Sequence, residues 1–175
     1  MDNKVIMQRV DMFCTLDRLA LQILEKYDVC DSLMLVGIQR RGVFIAKYLY
    51  DFLQKRMNNI VMGIIDINLY RDDWTSLSNK PNIGQSNIPK SVDNMNIILV
   101  DDVLYTGRTI RATLEAVLDY GRPKKIELLV LIDRGHRELP ITANYVGKNV
   151  PTSKNEIISV RLSEIDNEDS VTIKE

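Results

Sequence analysis

The run IILVDDVLYTGRT at 97–109 constrains this chain more than any other stretch. Ile97–Val100 is continuously apolar, the pattern of a strand buried on both faces. Asp101 and Asp102 follow at once, then a turn with Thr106, Gly107 and Thr109. The period then changes, because Ile110, Leu114, Val117 and Leu118 fall on one helical face. Gly107 lets the backbone approach a ligand closely. Free N–H groups in the first helical turn, with the Thr106 and Thr109 hydroxyls, suit a phosphate dianion. Two carboxylates at a strand's carboxyl end sit where open α/β sheets bind ligands. They suit ribose hydroxyls or the water shell of Mg2+. Two plainer readings are an acidic pair that only caps the helix, and the cation pocket of a receiver-type domain.

The same order occurs earlier in the chain. Leu33–Ile38 reads as a core strand, Gln39-Arg40-Arg41-Gly42 as a basic turn, and a helix begins near Val43. Such a turn can hold an anion, with the arginines as fork-shaped donors. Before it, residues 6–27 carry Met12, Phe13, Leu16, Leu19, Ala20, Ile23, Leu24 and Tyr27 at helical spacing. Cys14 on that helix reads as buried packing. Ile60–Tyr70 reads as a strand, and 71–90 has no periodicity, which marks a functional or irregular loop. Ile126–Ile132 is another buried strand and delivers Asp133-Arg134-Gly135-His136-Arg137 at its carboxyl end. Segments 143–146 and 157–162 would complete the sheet or form a small hood, with a short edge strand at 171–173. Apolar strands alternating with helices predict an α/β fold, mostly parallel and covered on both faces.

The 175 residues fit a single domain, 1–175. With 23 basic and 24 acidic side chains the net charge is -1, so nucleic-acid binding would need a local basic patch. Two isolated cysteines exclude a zinc site, and no apolar run could span a membrane. A cytoplasmic location is expected.

The 97–109 string resembles the PRPP-binding signature of type I phosphoribosyltransferases. Together with LYRDD at 69–73, DRGHRELP at 133–140 and VGKNVPTSKNE at 146–156, it resembles the PyrR family over almost the whole chain. That resemblance implies the type I phosphoribosyltransferase fold with a small hood formed by terminal segments. It implies uracil phosphoribosyltransferase activity, uracil plus PRPP giving UMP and pyrophosphate, with Mg2+ carried by PRPP and touched by Asp101 and Asp102. By the same resemblance Thr106, Gly107, Arg108 and Thr109 hold the 5′-phosphate, and Arg40, Arg41 and Gly42 form the pyrophosphate loop. The resemblance also implies that Arg71 would reach the pyrophosphate from a flap at 71–90. It further implies that Arg134 and Val160 would lie near the base.

The family also controls pyrimidine genes by binding a leader mRNA, as a homodimer or higher oligomer. Arg18, His136, Arg137, Lys148 and Lys154 match its RNA surface, whereas Asp17, Leu21 and Thr142 depart from it. Two other readings are an attenuator that senses UMP or UTP with little catalysis, and a purine phosphoribosyltransferase.

Overall fold

The apolar runs become neighbouring parallel strands. The computed structural model describes residues 4–68 and 86–174. In chain order the elements are β1 Lys4–Gln8, α1 Arg9–Lys26, β2 Leu33–Ile38, α2 Arg41–Leu53, β3 Ile60–Ile65, β4 Asn96–Leu104, α3 Arg108–Leu118, β5 Lys125–Asp133, β6 Tyr145–Asn149, β7 Ile157–Arg161, α4 Ser163–Asp166 and β8 Ser170–Lys174. The larger sheet has the order β3-β2-β4-β5-β6 and every pairing in it is parallel.

Strand alternation divides the core between the two faces of this sheet. Leu33, Leu35, Ile98, Val100, Leu129 and Leu131 pack with Leu16, Leu19 and Ile23 of α1 and Ile45 and Leu49 of α2. Met34, Val36, Ile97, Leu99 and Val130 pack with Ile110, Ala112, Ala116 and Val117 of α3. Every residue of β2 is buried, as its unbroken apolar run requires.

At the amino end of α1, Gln8 N donates to Asp11 Oδ2 at 2.9 Å, satisfying a backbone donor beside the helix start. At its other end Glu127, 2% exposed, gathers four donors. Lys26 and Lys125 Nζ lie 2.5 and 2.7 Å from Oε1, and the Tyr27 and Tyr145 hydroxyls lie 2.7 and 2.9 Å from Oε2. This buried carboxylate ties α1, β5 and β6 together.

The smaller sheet is antiparallel, with the order β1-β8-β7, and joins the two ends of the chain. Several boundaries differ from the sequence reading. Residues 6–8 belong to β1, not to the helix. β8 is longer than 171–173 and is the central strand of its sheet, not an edge. β3 stops at Ile65, α2 starts at Arg41, and β6 starts at Tyr145. Cys14 is exposed and does not pack in the core. Among the described residues, no helix is long and apolar enough to cross a membrane.

Candidate active site

The chain leaves β2 outward to β3 on one side, and leaves β4 outward to β5 on the other. Strand order therefore reverses between β2 and β4, and the turns that follow these two strands open a crevice where α/β sheets take ligands. The two turns singled out in the sequence, 39–42 and 105–108, are the ones that follow these two neighbouring strands.

The acidic pair lies within β4, not after it, because β4 runs on to Leu104 and Asp101 stands opposite Val130 of β5. Asp101 is 7% exposed, and its Oδ1 accepts from Asp102 N at 2.9 Å. Burial, then the neighbouring Asp102 charge, pushes the Asp101 carboxyl well above the usual carboxylate range. Asp102 is half-buried, and its Oδ1 accepts from Val103 N at 2.8 Å. One carboxyl of the pair is thus buried and the other partly open to solvent.

Gly107 precedes α3 with φ 93°, a conformation that costs a residue with a Cβ. The α3 amino terminus then points its backbone donors at the turn. Thr106 Oγ1 accepts from Arg108 N at 3.4 Å, and Thr109 lies in the first helical turn. Arg108 Nε pairs with Glu138 Oε2 at 2.8 Å.

On the other side of the crevice, a Cβ on Gly42 would meet Val100 O at 2.3 Å and Asp101 Cα at 3.2 Å. Only glycine lets the start of α2 lie directly on the acidic strand. The Gln39–Arg40 peptide is cis. Arg40 is exposed and, with Gln39, Val43, Phe44, Ile64 and Ile165, lines a cavity of about 310 Å3. Arg41 turns instead to α4, with Nη2 3.0 and 3.1 Å from the two Asp166 oxygens. Sequence reasoning did not find this Asp166 contact, since the partners are 125 residues apart. Arg71 and residues 71–85 of the expected flap lie outside the described residues.

Arg134 is 6% exposed, with its guanidinium 4.1 Å from the Tyr105 ring centre. It also donates to Thr152 Oγ1 and Ser153 O, each at 3.1 Å. Val160 is 3% exposed within the apolar core on the α1 and α2 side. The residues matched to an RNA surface fall into two groups. Arg18 Nη2 donates to Gly147 O at 2.6 Å and Lys148 Nζ to Ile6 O at 3.2 Å, so both lie where α1, β1 and β6 meet. His136 Nε2 lies 2.5 Å from Thr152 O, and Lys154 is exposed nearby in sequence. Arg137 is held by backbone carbonyls and Asp133. Asp17 accepts from the Tyr48 hydroxyl at 2.8 Å.

No cluster of three or more metal-binding side chains occurs among the described residues. The two aspartates offer hard oxygen donors, with Asp102 the more accessible, and this fits an ion held mainly by phosphate oxygens and water.

A crevice at the strand-order reversal, with an acidic pair and two helix amino termini, is the arrangement of a nucleotide-type ligand site. A model of the phosphoribosyl transferase domain matches residues 8–165, which sets the class. The fold agrees. Hypoxanthine-guanine phosphoribosyltransferase from Bacillus anthracis superposes with a TM-score of 0.73 at 18% identity, covering 98% of each chain. Hypoxanthine phosphoribosyltransferase from Trypanosoma cruzi gives 0.75 at 16% identity, covering 98% of this chain and 91% of the other. Sequence likeness is closer still to curated relatives named "Bifunctional protein PyrR". That of Elusimicrobium minutum is 50% identical over 98% of this chain and 96% of its own. That of Clostridium acetobutylicum is 54% identical over 92% and 91%. Within the phosphoribosyltransferases, this chain belongs to the PyrR family.

Proposed function

We propose that this protein is a uracil phosphoribosyltransferase, converting uracil and PRPP to UMP and pyrophosphate in pyrimidine salvage. The observation that carries this reading is the close approach of Gly42, after β2, to Val100 and Asp101 of β4, the strand that leads into the 105–108 turn. In this reading the acidic pair stands between two anion sites, as a ribose bearing a 5′-phosphate and a 1-pyrophosphate requires.

In the reaction the bond from a uracil nitrogen to the anomeric carbon forms. The bond from that carbon to the pyrophosphate oxygen breaks, its electron pair leaves with pyrophosphate, and the uracil N–H proton is released. The transition state carries positive charge on the ribose ring, as in other glycosyl transfers. Asp102 favours that charge and, with Asp101, holds the ribose hydroxyls. Thr106–Thr109 and the start of α3 bind the 5′-phosphate. Arg40 and the start of α2 face the leaving group, with Arg71 as a further donor. Mg2+ on PRPP supplies charge neutralisation at the pyrophosphate. Catalysis is then mostly positioning and electrostatics.

Asp102→Asn keeps the side-chain shape and removes the charge. It should lower kcat for UMP formation about 100-fold while leaving the thermal midpoint unchanged. Near-normal turnover would remove the electrostatic role assigned to Asp102.

The family resemblance supports a second activity, binding of a pyrimidine-operon leader RNA by a homodimer. Arg18, Lys148 and Lys154 are the exposed cations offered to it. In that reading UMP or UTP in the same crevice reports the pyrimidine supply.

A further inference from the structure

Three consecutive carbonyls, from the last residue of β4 into the turn after it, are held by one neighbouring segment. Leu104 O accepts from Arg134 N at 3.1 Å and lies 3.4 Å from Arg137 Nη1. Tyr105 O accepts from Arg137 Nη1 at 2.9 Å. Thr106 O accepts from the backbone N–H groups of Glu138 and Leu139 at 2.9 and 3.2 Å. In a planar trans peptide the N–H points opposite to the C=O. Drawing these carbonyls toward 134–139 therefore turns the N–H groups of Tyr105, Thr106 and Gly107 the other way.

Arg137 is the side chain that organises this arrangement. Its Nε donates to Ile141 O at 3.0 Å, its Nη1 also reaches Gly135 O at 3.2 Å, and its Nη2 pairs with Asp133. Asp133 in turn accepts from Gly135 N at 3.0 Å through Oδ1, which fixes the base of the segment. A planar guanidinium presents donors along several edges at fixed angles, so one arginine can orient several carbonyls at once. Its side chain is 22% exposed.

We infer that Arg137 is a positioning residue for phosphate binding, acting through the 104–106 backbone and not as a free contact on the surface. This rests on the reading above that the turn after β4 holds the 5′-phosphate. The loss on removing Arg137 should fall on ligands that carry that phosphate and spare those that lack it.

The test compares UMP and uridine binding by calorimetry to the full-length wild type, Arg137→Ala and Arg137→Lys, with thermal melts of each. Arg137→Ala should weaken UMP roughly tenfold or more, and leave uridine within about twofold. In turnover the KM for PRPP should rise while that for uracil holds. Lysine cannot reach Ile141 O, the turn carbonyls and Asp133 together, so Arg137→Lys should fall between the two. If the alanine variant does not fold, the lysine variant carries the same comparison. Equal loss of UMP and uridine would reduce Arg137 to general structural support and overturn the inference. Unchanged UMP binding with weakened affinity for a single-stranded RNA loop would assign the residue to RNA and overturn it as well. A wild-type protein that binds uridine but gains nothing from the phosphate of UMP would remove the reading of the turn, and this inference with it.

Discussion

Glu127 and Asp101 are both buried carboxyls on neighbouring strands, and their surroundings drive them in opposite directions. Burial alone would raise Glu127, but Lys125, Lys26, Tyr27 and Tyr145 outweigh it and hold the carboxyl at about 2. Relative to an ordinary value of 4.5, its contribution to stability is complete above that pH. It is lost as pH falls from there toward 2. That contribution is on the order of 3 kcal/mol. Asp101 has the opposite sign. Its raised pKa means that ionisation costs the folded state stability as pH rises from the ordinary range. Glu127→Gln should therefore lower the urea midpoint near neutral pH, and the gap to wild type should narrow as pH drops toward about 3. A gap independent of pH would mean the hub acts by packing alone. The acidic pair and Gly107 were legible in the sequence because local spacing defines them. The exposure of Cys14 and the donors around Glu127 were not. Tyr27, Lys125 and Tyr145 become neighbours only after α1, β5 and β6 pack.

At the scale of elements, periodicity placed β2, α1, α3 and β5 within a few residues. It misplaced the end of β4, because two aspartates look like a strand stop although Asp101 still pairs with β5. It also missed β1, whose Ile6 and Met7 continue the helical pattern and whose partner β8 lies at the far end of the chain. The contact between α2 and β4 makes a sharp prediction. A Cβ at Gly42 would lie 2.3 Å from Val100 O, a backbone atom that cannot move aside cheaply. Gly42→Ala should cost about 2 kcal/mol or more, and should raise KM for PRPP by displacing the 39–42 turn. Wild-type stability and kinetics would show that this close approach does not shape the site. Gly147, whose added Cβ would lie 2.3 Å from Leu131 O, holds β6 on β5 in the same way.

For the whole molecule, alternating strands and helices predicted a parallel sheet covered on both faces, and the two-sided core agrees. The strand order β3-β2-β4-β5-β6 could not be read in advance, since local sequence does not encode which strands become neighbours. Yet that order makes β2 and β4 neighbours, so the turns proposed to bind the two anions follow adjacent strands. The small sheet is likewise nonlocal, and α4, between its strands β7 and β8, pairs Asp166 with Arg41 at the start of α2. The reading that this crevice joins uracil to a phosphoribosyl group concerns the molecule as a whole. It is tested most directly by pyrophosphate release from PRPP and Mg2+, with uracil, cytosine, hypoxanthine, guanine and orotate supplied one at a time. Release with uracil alone is the predicted result. Release with hypoxanthine or guanine, or no release with any base from folded protein that still binds UMP, would contradict it.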